Sequence, residues 1–136
     1  MNPQDLQAEL ARFTGTETYH RHSLNRHLLW TDGVEFFARQ CKTFWFIDGI
    51  AVGWNGRRGP VPSVVPGKDR MGIVLLKVAD GKANLEIRSD YNEQDDTCGS
   101  VLYREKIGHT DCPEGVWKFY LVADDRHVTM MLPGEY

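Results

Sequence analysis

The chain has 136 residues, 41% hydrophobic and 26% charged, with a formal net charge of −3 and a pI near 5.9. That length suits one domain, 1–136, able to bury a core without disulfides or a structural metal. The acidic balance argues against a general nucleic-acid binder. No apolar run approaches the ~18 residues of a membrane helix.

Charge is unevenly spread. Residues 1–70 carry 9 basic and 7 acidic side chains, and residues 71–136 carry 7 and 12. The N-terminus, MNPQDLQAEL, has no apolar signal region. The cysteines, Cys41, Cys98 and Cys112, are odd in number and show no CxxC spacing. Reduced thiols and a cytoplasmic location are therefore expected.

In chain order, Asn2 and Pro3 form a helix start, and Leu6, Leu10 and Phe13 lie on one face. A first helix is expected over 3–12, ending before Gly15. Tyr19 to Trp30 has no clean periodicity. Asp32 followed by Glu35 has capping-box spacing, and Val34, Phe37, Cys41 and Phe44 continue a helical stripe. A second helix is expected over 33–42. FWFIDGIAVGW reads as a buried helix over 44–54 or as a short strand, and the spacing of Phe44, Ile47, Ala51 and Trp54 favours the helix. Residues 55–70, NGRRGPVPSVVPGKDR, hold too much Pro and Gly for a regular element.

The second half reads as strands. Met71–Ala79 is almost continuously apolar, as an interior strand should be. Asp80-Gly81 is a hairpin signal, and Ala83–Ser89 returns with alternation. Val101–Ile107, Val116–Ala123 and His127–Leu132 follow, with a turn at Asp124-Asp125. The expected class is α+β, with two or three N-terminal helices packed on one antiparallel sheet of about five strands.

Several stretches carry a resemblance: FTGTETYHRH at 13–22, TDGVEFFARQ at 31–40, FWFIDGIA at 44–51, HTDCP at 109–113 and LPGEY at 132–136. Together, and in this order, they resemble a family of small bacterial and mobile-element proteins of unknown function. The resemblance implies a stand-alone cytoplasmic domain, often carried on plasmids or phages. It implies no reaction.

Chemistry-bearing residues are few. His20 and His22, at i and i+2 in an extended segment, could both reach one Zn²⁺, with a third ligand from afar: His27, Asp32, Asp48, His109 or His127. The bland reading is a hydrogen-bonded pair. Asp48 lies in an apolar stretch and needs a partner if buried, which Arg21, Arg26 or a histidine could supply. Cys112 stands three residues after His109 and beside Asp111, but such local clustering is ordinary turn chemistry. Trp54 with Arg57, Arg58, Lys68 and Arg70 makes a recognition cluster, since Trp and Arg dominate binding hot spots.

The sequence therefore leads to a small non-catalytic binding or accessory protein that acts through protein–protein contacts and has no cofactor. Neither a nucleic acid nor a membrane is an expected partner, and a dimer through a sheet edge is open. The alternative is a small metal-assisted hydrolase using His20, His22, Asp48 and zinc.

Overall fold

The computed structural model describes residues 2–15, 18–23, 26–54, 71–88, 94, 101–123 and 127–136. Helix α1 (Pro3–Leu10) starts where expected, with the Asn2 side chain accepting from the Asp5 N–H at 2.8 Å. It stops at Leu10, two residues before the expected end. Helix α2 is Asp32–Cys41, and its N-cap is Thr31 rather than Asp32. The Thr31 hydroxyl accepts from the Val34 N–H, and Lys42 closes the helix in the left-handed conformation, φ 55°. Residues 44–54 are helical, as the apolar spacing suggested. They form a short α3 (Phe44–Asp48) that continues as a π-helical segment, Gly49–Trp54.

The expectation of about five antiparallel strands under N-terminal helices is overturned. Among the described residues the sheet has seven strands and is mixed. Two short strands, β1 (Tyr19–Arg21) and β2 (Leu28–Thr31), lie between α1 and α2. The other five are β3 (Met71–Ala79), β4 (Lys82–Arg88), β5 (Val101–Ile107), β6 (Gly115–Ala123) and β7 (Val128–Met131). Their order is β1-β2-β7-β6-β3-β4-β5. Every pairing is antiparallel except β2 with β7. The two early strands escape sequence reading because they are three and four residues long. The pattern of β1 is also obscured by His20, a polar residue that turns toward α2. Ser89, the 55–70 loop, Cys98 and the Asp124-Asp125 turn lie outside the described residues.

Met71–Ala79 is an interior strand, paired with β4 on one side and β6 on the other. Asp80 (φ 54°) and Gly81 (φ 72°) form the tight hairpin turn. One sheet face carries Val74, Leu76, Leu85, Ile87, Trp117, Phe119 and Leu121 against Val34, Phe37, Phe46, Ile47 and Ile50 of the helices. Phe37 is the centre of this layer, with ring centroids 5.0 Å from Phe119, 5.6 Å from Trp117 and 5.8 Å from Phe46.

The C-terminus fixes the first turn of α2. Glu135 accepts from the Thr31 hydroxyl at 2.6 Å, the Gly33 N–H at 3.2 Å and the Leu132 N–H at 3.0 Å. An anion belongs there, because the first N–H groups of a helix lack intrahelical partners and carry partial positive charge. Glycine at position 33 leaves room for this contact. A Cβ at this position would come 2.5 Å from both the Glu135 carboxylate and Leu132 Cδ1.

Two substitutions test this clamp by urea unfolding. Gly33→Ala is expected to cost about 1–3 kcal/mol through overpacking. Glu135→Ala is expected to cost about 2 kcal/mol by stranding three donors, with Glu135→Gln in between. Wild-type stability in both Gly33→Ala and Glu135→Ala would show that the contact is incidental.

Candidate functional site

The histidines of the opening motif sit where β1 meets the helix layer. His20 pairs with Trp30 across the β1–β2 ladder, and their rings stack with centroids 5.9 Å apart. His20 Nε2 lies 3.2 Å from Asp32 Oδ1 on α2. His22, one residue past β1 and buried, has Nε2 2.8 Å from Asp48 Oδ1 at the end of α3. Its ring meets Trp30 edge-on at 6.3 Å. Asp48 thus pairs with a histidine, but 67% of its own side chain is exposed, so it is not a buried carboxylate in need of compensation.

Between these two pairs runs a third set of bonds. The Trp30 indole N–H donates to Glu35 at 2.8 Å, and Arg39 donates to the same carboxylate at 2.9 Å, one helical turn on. Burial of Glu35 opposes its ionisation. The bonds from Trp30 and Arg39, with His20 close by, outweigh that and hold its pKa below the ordinary value. The cluster thus offers two imidazole–carboxylate pairs around one indole. It can hold protons and orient polar groups.

The structure brings His22 and Asp48 together but sends His20 to Asp32. Among the described residues no three of His, Cys, Asp and Glu converge as metal ligands. Trp54 closes the π-helical segment, while its side chain and Arg57, Arg58, Lys68 and Arg70 lie outside the described residues. Cys112 is buried against Cys41, whereas His109 and Asp111 pair at 3.6 Å with 82% and 75% of their side chains exposed. The thiol and the imidazole are thus kept apart, one in the core and one in water. A hydrogen bond with Cys41, then burial, pushes the Cys112 thiol far above its ordinary range.

A second polar cluster lies on the opposite face of the sheet. Glu86 is buried and held by three cations: Arg88 at 2.8 Å, Arg104 at 3.0 Å and Lys77 at 3.3 Å. Burial opposes the Glu86 charge, but the Arg88 bond and the nearby Lys77 outweigh it and lower its pKa. Beside it, β5 ends the sheet among the described residues, and an open groove of about 690 Å³ runs past the hairpin end, lined by Lys77, Lys82, Lys106, Ala79, Ile107 and Val116 among others. No acidic residue among the described ones lines it. This cluster was missed from sequence, although Glu86, Arg88 and Lys77, Arg104 alternate on strands that the alternation itself located. The His20–Asp32 and Trp30–Glu35 pairs needed the unforeseen strands.

A sequence profile of a family of unknown function (DUF6876) matches residues 4–136. A crystal structure of a protein of unknown function from Enterococcus faecalis is similar at 16% identity, with a TM-score of 0.50. The match covers 88% of this chain and 98% of that one. At that identity the likeness concerns the fold alone. No curated protein matches the chain. No helix among the described residues is long and apolar enough to cross a membrane.

Two measurements check these electrostatics. Glu86 has a folded pKa below its ordinary 4.5, so its stabilising contribution is fully present above that pH and is lost as pH falls through the folded value. Between about pH 5 and about pH 3, wild type is expected to lose more stability than Glu86→Gln. Parallel pH profiles would refute the lowered pKa. Separately, in a Cys98→Ser background, Cys41 and Cys112 are expected to react with a bulky disulfide reagent no faster than the protein unfolds. Rapid labelling of native protein at Cys112 would contradict its burial.

Proposed function

We propose that this chain, which belongs to the DUF6876 family of unknown function, is a non-catalytic binding protein that adds a strand of a protein partner to the open edge of β5. The observation that carries the reading is β5 itself. It is seven residues long and pairs only with β4 among the described residues. Such an edge presents a row of backbone donors and acceptors, a ready template for an extended segment of another chain. The opposite edge, β1, offers only three residues. Val101, at the start of β5, is 44% exposed and gives apolar contact beside the backbone row.

The bacterial mobile-element setting rests on the motif resemblance, and in it the protein serves as an accessory factor in the cytoplasm. The His20–Asp32 and His22–Asp48 pairs are assigned a positioning role. They tie β1 to α2 and α3, so the helix layer is anchored at the far side of the sheet. Trp54, Arg57, Arg58, Lys68 and Arg70 are assigned as a second contact with the same partner.

Adjacent proline substitutions test the strand-addition reading. Strand N–H groups alternate in direction, so of Arg104→Pro and Glu105→Pro one removes a bond to β4 and the other removes only an edge donor. The variant that keeps the wild-type thermal midpoint is expected to lose the partner captured by wild type from bacterial lysate. If that folded variant captures the same partner in the same yield, β5 is not the docking edge.

A further inference from the structure

From the side chains that flank this edge we infer the chemistry of the segment that docks on it: an extended strand with carboxylates at alternate positions, set opposite Arg104 and Lys106. The inference rests on the strand-addition reading and names its partner.

Ladder geometry defines which side chains an added strand meets. Residues directly opposite each other in neighbouring strands point to the same face. On the face away from the helices, β5 presents Arg104 and Lys106, because Arg104 pairs with Glu86 and Lys106 with Asn84. Tyr103, Glu105 and Ile107 point toward the helix side, opposite Ile87, Leu85 and Ala83 of the core. An added strand therefore meets two cations at i and i+2, with apolar positions outside them and Glu105 between.

Charge sets the sign of the occupant. Arg104 reaches Glu86 and still keeps 53% of its side chain exposed. Lys82 and Lys106 are exposed, with no ionic partner among the described residues. The groove past the hairpin end adds Lys77 to these, with no carboxylate among the described residues that line it. Among the described strand residues on this face the one acid, Glu86, is buried beneath three cations. Carboxylates from a partner strand would complete the row.

The same residues oppose a second copy of this chain. Two β5 strands related by a two-fold axis normal to the sheet would bring Arg104 opposite Arg104, or Arg104 opposite Lys106, in the central registers. Like charges directly opposite are destabilising. The edge thus resists self-pairing and favours an acidic strand, a common way for an edge to select its partner.

The probe is a capped peptide with the core Val-Glu-Thr-Glu-Val, which reads the same in parallel and antiparallel registers. Controls carry Val-Thr-Thr-Thr-Val and Val-Lys-Thr-Lys-Val. Binding to the full chain is measured by fluorescence anisotropy at low and high salt, and the site by amide hydrogen exchange over residues 101–107. The acidic peptide is expected to bind about tenfold more tightly than the neutral one at low salt and to slow exchange along β5. Lys106→Gln should reduce that preference, and Lys106→Glu should shift it toward the lysine peptide. Equal binding of acidic and neutral peptides, both protecting β5, would overturn the acidic assignment and leave strand addition standing. An acidic preference without protection of β5 would sink both, because the site would lie elsewhere. If no peptide binds, the assignment fails, and the proline pair alone judges the edge.

Discussion

The carboxylate of Glu135 is the constraint on which most of the architecture depends. It gathers a hydroxyl and an N–H from the first turn of α2 and an N–H from its own terminal turn. Thr31 and Glu135 stand 104 positions apart, so one charged side chain closes the chain on itself. Thr31 ends β2, and Leu132 directly follows β7. Holding those two points together favours the parallel pairing of β2 with β7. That pairing carries the β1–β2 hairpin, and with it His20, Trp30 and His22. A parallel pair of such short strands has little stability of its own, and the charge-assisted bonds at its end supply what the ladder lacks.

From there the helix layer is tied across the sheet. His22, beyond β1, bonds Asp48 at the end of α3. The next residue, Gly49, lies against Glu105 of β5, where an added Cβ would come 2.8 Å from the carboxylate. Six inter-strand steps in a flat sheet would hold these edges roughly 29 Å apart, more than the linked side chains span. The sheet therefore curls around the helices, as strand twist allows. A side chain at Gly49 would have to displace the end of the Glu105 side chain, and the π-helical segment begins at that residue.

The two polar clusters follow different physical rules. Around Trp30 the carboxylates are partly in water and the histidines join elements of secondary structure. On the other face a carboxylate is buried outright, so it needs more than one cation to offset its desolvation. Placing three cations beneath and beside β5 gives that edge its sign. The buried ion cluster and the selectivity proposed for the edge thus share the same residues, Arg104 foremost.

Much of this was legible in the sequence. The five later strands, the Asp80-Gly81 hairpin and the three helical stretches followed from local periodicity and turn chemistry, which act between residues close in the chain. Asp48 stood out as a carboxylate in an apolar run, and it does pair with His22, although the structure leaves its side chain mostly in water. The sequence by itself could not choose His22 over Arg21 or Arg26, nor reveal that Thr31 rather than Asp32 caps α2, since the cap is settled by Glu135 arriving from the far end. Strands β1 and β2 were invisible for the same reason. Three or four residues carry too little pattern to declare a strand, and their ladder is completed by β7, about a hundred residues on. Local interactions are written in neighbouring letters. The parallel pair, the tryptophan-centred cluster and the cationic edge exist only once distant segments meet, and that meeting was decided by the tertiary structure.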